Sequence, residues 1–130
     1  MVEYTLYNSI LVNGDIKKVF EVLKNSIIEM SYKTITVEEP FYMEVQRGKG
    51  GLLTTKIKDS KTNLKISLKE APKGDVISIL FDYKFNLKGL FTEKDKDFIQ
   101  SELVKINHDL FDIGSSGKPK FLRDYSKLNK

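Results

Sequence analysis

The chain has 130 residues, 40% apolar, 31% charged and 11% aromatic, which is one domain's worth of sequence with enough apolar surface for a core that needs no covalent staples. With no cysteine and a single histidine, His108, it excludes a disulfide framework, thiolate or histidine-rich metal centres and cysteine nucleophiles. The formal charge of +4 lies wholly beyond Gly114, where Lys118, Lys120, Arg123, Lys127 and Lys130 face only Asp124.

Residues 1–113 are therefore neutral. A nucleic-acid binder carries positive charge on the folded face that meets phosphate, so no nucleic acid is expected as a partner. No apolar run approaches the ~20 residues of a membrane span, and the start, Met1 to Tyr4, lacks the basic residues of a signal peptide. The expectation is a soluble, cytoplasmic domain without metal or cofactor.

Tyr4 to Val12 predicts a strand in which Tyr4, Leu6, Ile10 and Val12 share one face. Asn13-Gly14-Asp15 breaks it, and Asp15 is placed to cap a helix. Ile16, Val19, Phe20, Leu23, Ile27 and Met30 form one helical stripe, ended by Ser31 and Tyr32. From Lys33 to Phe85 the period becomes two. Strands are predicted around Ile35 and Val37, then Phe41, Met43 and Val45, then Leu53, Thr55 and Ile57. Leu64, Ile66 and Leu68 follow, then Ile77, Ile79, Phe81, Tyr83 and Phe85. Turn clusters at Gly48–Gly51, Asp59–Asn63 and Ala71–Gly74 are too short for parallel crossovers, so the strands form an antiparallel meander with one covered face.

Thr92-Glu-Lys-Asp95 is a capping-box pattern that opens a second helix. Its stripe is Ile99, Leu103, Ile106 and Leu110, widened by Phe98 and Phe111, and it ends near Gly114. Residues 114–130 then read as a basic tail outside the 1–113 domain. Ser115 to Pro119 has linker composition, and Phe121, Leu122, Tyr125 and Leu128 sit at the spacing of a short amphipathic helix.

Catalytic motifs are absent or poorly supported. In Gly48-Lys-Gly-Gly51 the lysine precedes the last glycine and strand residues follow, so a hairpin loop is the simpler reading than a phosphate loop. His108 lies about 200° from the core stripe of its helix and has no second histidine or cysteine to pair with. Glu38, Glu44 and Asp82 alternate outward on their strands. Polar groups expected to point inward are Asn8, Tyr83 and Thr55, and the chain is read as non-enzymatic.

The order of strand, Val12-Asn-Gly-Asp15, a helix carrying Val19-Phe20 and Leu23, antiparallel strands and a long C-terminal helix resembles the START-like helix-grip (SRPBCC) superfamily. Gly48-Lys-Gly-Gly51 followed by Thr55-Lys-Ile57 is similar to the glycine-rich loop of its plant members. Twenty lysines against two arginines fit a small archaeal member. The resemblance implies an α+β helix-grip fold: a curved antiparallel sheet of about six strands wraps the long C-terminal helix, and one helix follows the first strand.

It also implies a small hydrophobic ligand, a fatty acid or other lipid-like molecule, in a cavity between sheet and C-terminal helix. The lining expected is Phe41, Met43, Ile79, Phe81 and Tyr83 from the sheet, Ile99, Leu103 and Ile106 from the long helix, and Ile27 and Met30 from the first. A protein-interaction module with a filled core, in which a homodimer would use the tail, and a cyclase- or hydrolase-like enzyme are the competing readings.

Overall fold

The computed structural model describes residues 2–49, 55–74, 76–111 and, as backbone, 120–129. The first strand, β1, runs Val2–Asn13, and α1 follows at Ile16–Glu29. Then come β2 (Lys33–Glu38), β3 (Tyr42–Arg47), a single 3₁₀ turn (Ile57–Asp59), β4 (Thr62–Glu70) and β5 (Val76–Leu87). The long helix α2 spans Glu93–Phe111, and β6 spans Lys120–Asn129. The fold is α+β. Among the described residues one antiparallel sheet has the order β2-β3-β4-β5-β1-β6.

The longest register joins β1 to β5, from Val2 opposite Leu87 to Asn13 opposite Val76. Alternation puts Tyr4, Leu6, Ile10 and Val12 of β1, and Ile77, Ile79, Phe81, Tyr83, Phe85 and Leu87 of β5, into one buried face. Met43 and Val45 of β3 and Leu64, Ile66 and Leu68 of β4 complete it. Both helices turn their stripes into this core, α1 through Val19, Phe20, Leu23 and Ile27, and α2 through Ile99, Leu103, Ile106 and Leu110. At about 1.5–3 kcal/mol per buried aliphatic side chain, the α2 stripe alone contributes roughly 6–12 kcal/mol gross.

Helix termini follow local rules. Asp15 caps α1 by accepting from the Lys18 amide at 3.2 Å. Ser31 then turns the chain at φ +70°, after which Tyr32 is drawn inside at 3% exposure.

Four expectations need correction. The strand expected around Leu53, Thr55 and Ile57 does not extend to Ile57, which starts the 3₁₀ turn instead; residues 50–54, with part of the glycine-rich loop, lie outside the described residues. Gly48 in that loop has φ +82°, and a side chain there would run into the Ser60 carbonyl, so the loop needs glycine for clearance as well as for conformation. Phe41 does not face the core. It is 52% exposed, because its amide closes a turn onto the Glu38 carbonyl at 2.9 Å and the inward alternation of β3 begins only at Met43.

Phe111, expected to widen the α2 stripe, is likewise exposed. The tail gives the largest departure. Residues 120–129 are neither a free extension nor a helix but an edge strand antiparallel to β1, so the sheet continues past the expected boundary at residue 113. Residues 112–119, which hold the expected helix end and linker, lie outside the described residues. None of the helices described is long and apolar enough to cross a membrane.

Candidate functional site

A cleft of about 600 Å³ opens where the 3₁₀ turn, the β5–α2 loop and the first two turns of α2 meet. Its apolar lining is Leu90 and Phe98, with Ile57 beneath them at 1% exposure, and Lys56, Lys58, Lys88 and Lys94 also line it. Thr55, expected to point into a cavity, is an exposed part of this lining.

One carboxylate organises the walls. Asp95 is buried at 3% exposure. Its Oδ2 accepts from the Thr92 amide and hydroxyl, both at 2.9 Å, while the Asp95 amide donates back to the Thr92 hydroxyl at 3.3 Å. This is the capping box expected from Thr92-Glu-Lys-Asp95. Its Oδ1 does something the local pattern does not show: it accepts from the Ile57 amide at 3.0 Å, tying the 3₁₀ turn to the start of α2. The loop between β5 and α2 is anchored from its other side. Tyr4 stacks on Phe85 and Phe91 packs tilted against both, with centroids 5.6–5.7 Å apart, and the Tyr4 hydroxyl donates to the Gly89 carbonyl at 2.6 Å.

Behind Phe98 lies a buried polar cluster. The Arg47 guanidinium lies over the rings of both Tyr32 and Phe98, at 5.0 and 4.8 Å from their centroids. Its Nε stands 3.2 Å from Glu102 Oε2, and its Nη1 donates to the Lys58 carbonyl at 3.2 Å. Glu102 Oε1 accepts from the Tyr32 hydroxyl at 2.9 Å and the Tyr83 hydroxyl at 3.3 Å. Arg47 Nη2 has no hydrogen-bond partner among the described residues.

Burial raises the Glu102 pKa above the usual carboxylate value, partly offset by Arg47 and the two tyrosine hydroxyls. Burial also pushes both tyrosines up, with Glu102 adding to the rise, so they remain donors. Burial works against the Arg47 charge, but the tyrosines and Glu102 outweigh it and its pKa moves up. Phe98 and Glu102 also border a smaller hollow of about 280 Å³ with Met30, Ser101 and Lys105.

The residues expected to line a mid-helix cavity are placed differently. Ile27, Met43, Ile79, Phe81, Tyr83, Ile99, Leu103 and Ile106 are brought together, but as members of one packed core. Met30 is half-buried at the smaller hollow, Phe41 is on the surface, and none of the ten lines the large cleft. Tyr83 has the buried partner its hydroxyl required, Glu102. Asn8 does point inward, at 2% exposure, with neither amide atom hydrogen-bonded among the described residues.

Sequence reasoning missed Tyr32, Arg47, Asp95 as a tether, and Glu102. The signal for two of them was present. Arg47 continues the inward alternation of Met43 and Val45, and Glu102 stands three residues after Ile99 and four before Ile106, inside the apolar stripe of α2. Opposite charges at two core-facing positions are a pair in waiting.

No family model matches the chain, and no curated protein matches it. In three dimensions it is similar to a conserved protein from Geobacillus kaustophilus known from its crystal structure. The TM-score is 0.63 at 8% identity, over 97% of this chain and 99% of that one. At that identity the likeness shows a shared fold and nothing about activity.

Proposed function

We propose that this chain is a small helix-grip protein of the START-like kind, and that it binds a small hydrophobic molecule in the cleft at the start of α2. The observation that carries the reading is the cleft itself: about 600 Å³, within the range of small-molecule sites, with apolar side chains facing it and its walls held by Asp95. The aromatic cluster of Tyr4, Phe85 and Phe91 and the packed Arg47 give it a well-packed surround, which lowers the ordering cost of binding. The polar cluster behind Phe98 supports binding over catalysis, since both Glu102 oxygens are engaged by Tyr32, Tyr83 and Arg47.

The test is titration with a neutral apolar dye, N-phenyl-1-naphthylamine, against the wild type and Leu90→Glu. Leu90 is 78% exposed, so the substitution leaves folding intact while placing a charge in the cleft. Expected are one dye per chain and binding weakened by about ten-fold in the variant, equivalent to 1.4 kcal/mol. No dye binding by the wild type, or equal binding by both proteins, rejects the reading.

The interaction-module alternative is supported by a separate feature. The edge strand β2 carries Ile35, 54% exposed, next to the turn carrying Phe41. A dimer in sedimentation equilibrium that Phe41→Ser dissolves, in a protein that takes up no dye, would favour it.

A further inference from the structure

We propose that the cleft selects a single-chain amphiphile with an anionic head, a free carboxylate of the fatty-acid kind; this rests on the reading of the cleft as the binding site. Four lysines line it: Lys56 and Lys58 from the 3₁₀ turn region, Lys88 from the β5–α2 loop and Lys94 from α2. All four are exposed, and none belongs to an ion pair among the described residues. The only acid among the described residues of the lining, Asp95, is consumed by the Ile57 amide and the Thr92 amide and hydroxyl.

The cleft thus pairs an apolar floor with ammonium groups that no ion pair engages among the described residues. Its complement is a chain of methylenes ending in a negative charge. A second cleft of similar size, about 660 Å³, shows that this asymmetry is local. There Lys17 and Lys24 are balanced by Glu21 and Glu39, and Lys24 stands 3.6 Å from Glu39.

The geometry also orders the ligand. Phe98 and Ile57 lie toward the buried side, with Arg47 and the core behind them, while the lysine heads reach solvent. The tail therefore enters against Phe98, over the buried Ile57, and the head stays at the rim, where an ammonium–carboxylate contact needs no burial of charge.

The experiment displaces N-phenyl-1-naphthylamine from the full chain with dodecanoate, dodecanol and dodecyltrimethylammonium, each below its micellar concentration. The same titrations are run on the double variant Lys56→Gln/Lys88→Gln. Dodecanoate is expected to bind about ten-fold or more tighter than dodecanol, the size of a charge-assisted contact, with the ammonium amphiphile weakest. The double variant should cut the dodecanoate preference by at least half on the logarithmic scale without moving the melting temperature, because both lysines are exposed.

Equal binding of the three amphiphiles, or a dodecanoate preference undiminished by the double variant, overturns the anionic-head proposal and leaves the cleft as a binding site. Failure of the dye to bind at all overturns both. Co-sedimentation with phosphatidylserine vesicles without uptake of free dodecanoate also overturns the proposal, since the lysines would then serve a membrane surface.

Discussion

Removing Arg47 would leave Glu102, 5% exposed, with two hydroxyl donors and no counter-charge. Breaking a buried pair from one side costs about 3–5 kcal/mol, and Arg47→Met is expected to lose that much at pH 7 in urea unfolding. The pH dependence has a definite sign. A carboxyl whose folded pKa is raised binds more protons folded than unfolded, so its contribution to stability falls as pH rises above the ordinary carboxylate range. Without Arg47 the Glu102 pKa rises further, and the Arg47→Met defect should be smaller at pH 5 than at pH 8. Arg47→Met/Glu102→Gln keeps an acceptor for Tyr32 and Tyr83 and removes the charge. It is expected to recover at least half the loss and to flatten the pH dependence; a defect equal at both pH values would show that Glu102 is not the group responsible. The period-two pattern of β3 and the stripe of α2 each place one of these residues inward. What one-dimensional reading does not supply is that position 47 of a strand and position 102 of a helix meet, which depends on how α2 crosses the sheet.

Two elements depend on partners distant in sequence. The start of α2 was legible, because a capping box is four consecutive residues. That Asp95 also holds the Ile57 amide was not, since residue 57 belongs to a turn 38 positions away. Asp95→Ala loses a cap and strands a buried donor, about 2–4 kcal/mol together, and should sharply accelerate hydrogen exchange at Ile57. Asp95→Asn keeps one carbonyl acceptor and should cost less. The edge strand β6 gives the second case. Its sequence carries both a helical spacing and enough aromatic and aliphatic residues for a strand, and local propensity does not choose between them. The open edge of β1 does. Truncation after Phe111 uncovers that edge, and the melting temperature is expected to fall by at least about 5 °C, roughly 1 kcal/mol or more for a domain of this size, with concentration-dependent association through the bare strand. A melting temperature within 2 °C of the full chain would show that β6 contributes no net stability.

For the molecule as a whole, one substitution separates the two placements of the site. Leu103 sits at 1% exposure in the packed core between α2 and the sheet, away from the cleft at the start of the same helix. Leu103→Trp overpacks this interface and is expected to cost about 1–3 kcal/mol. Dye affinity at the cleft should stay within about two-fold, as for independent sites. Loss of dye binding at unchanged stability would instead place the ligand between helix and sheet. A bound ligand should also raise the melting temperature with concentration, by about 2.7 kcal/mol of stabilisation at a hundred times its dissociation constant.

Hydrophobic periodicity by itself determined the fold class, the antiparallel character of the sheet, both helices with their buried stripes, and the caps at Asp15 and Thr92. These are set by contacts within a few residues, which is the range over which a repeat of two or 3.6 and a capping side chain act. The tertiary structure alone decided where the cleft lies, that the mid-helix apolar residues fill the core, that Tyr32, Arg47, Tyr83 and Glu102 converge, and that the basic tail ends in a strand. Each of these depends on which surfaces meet across tens of residues, and local pattern carries the direction of a side chain but not the identity of what it faces.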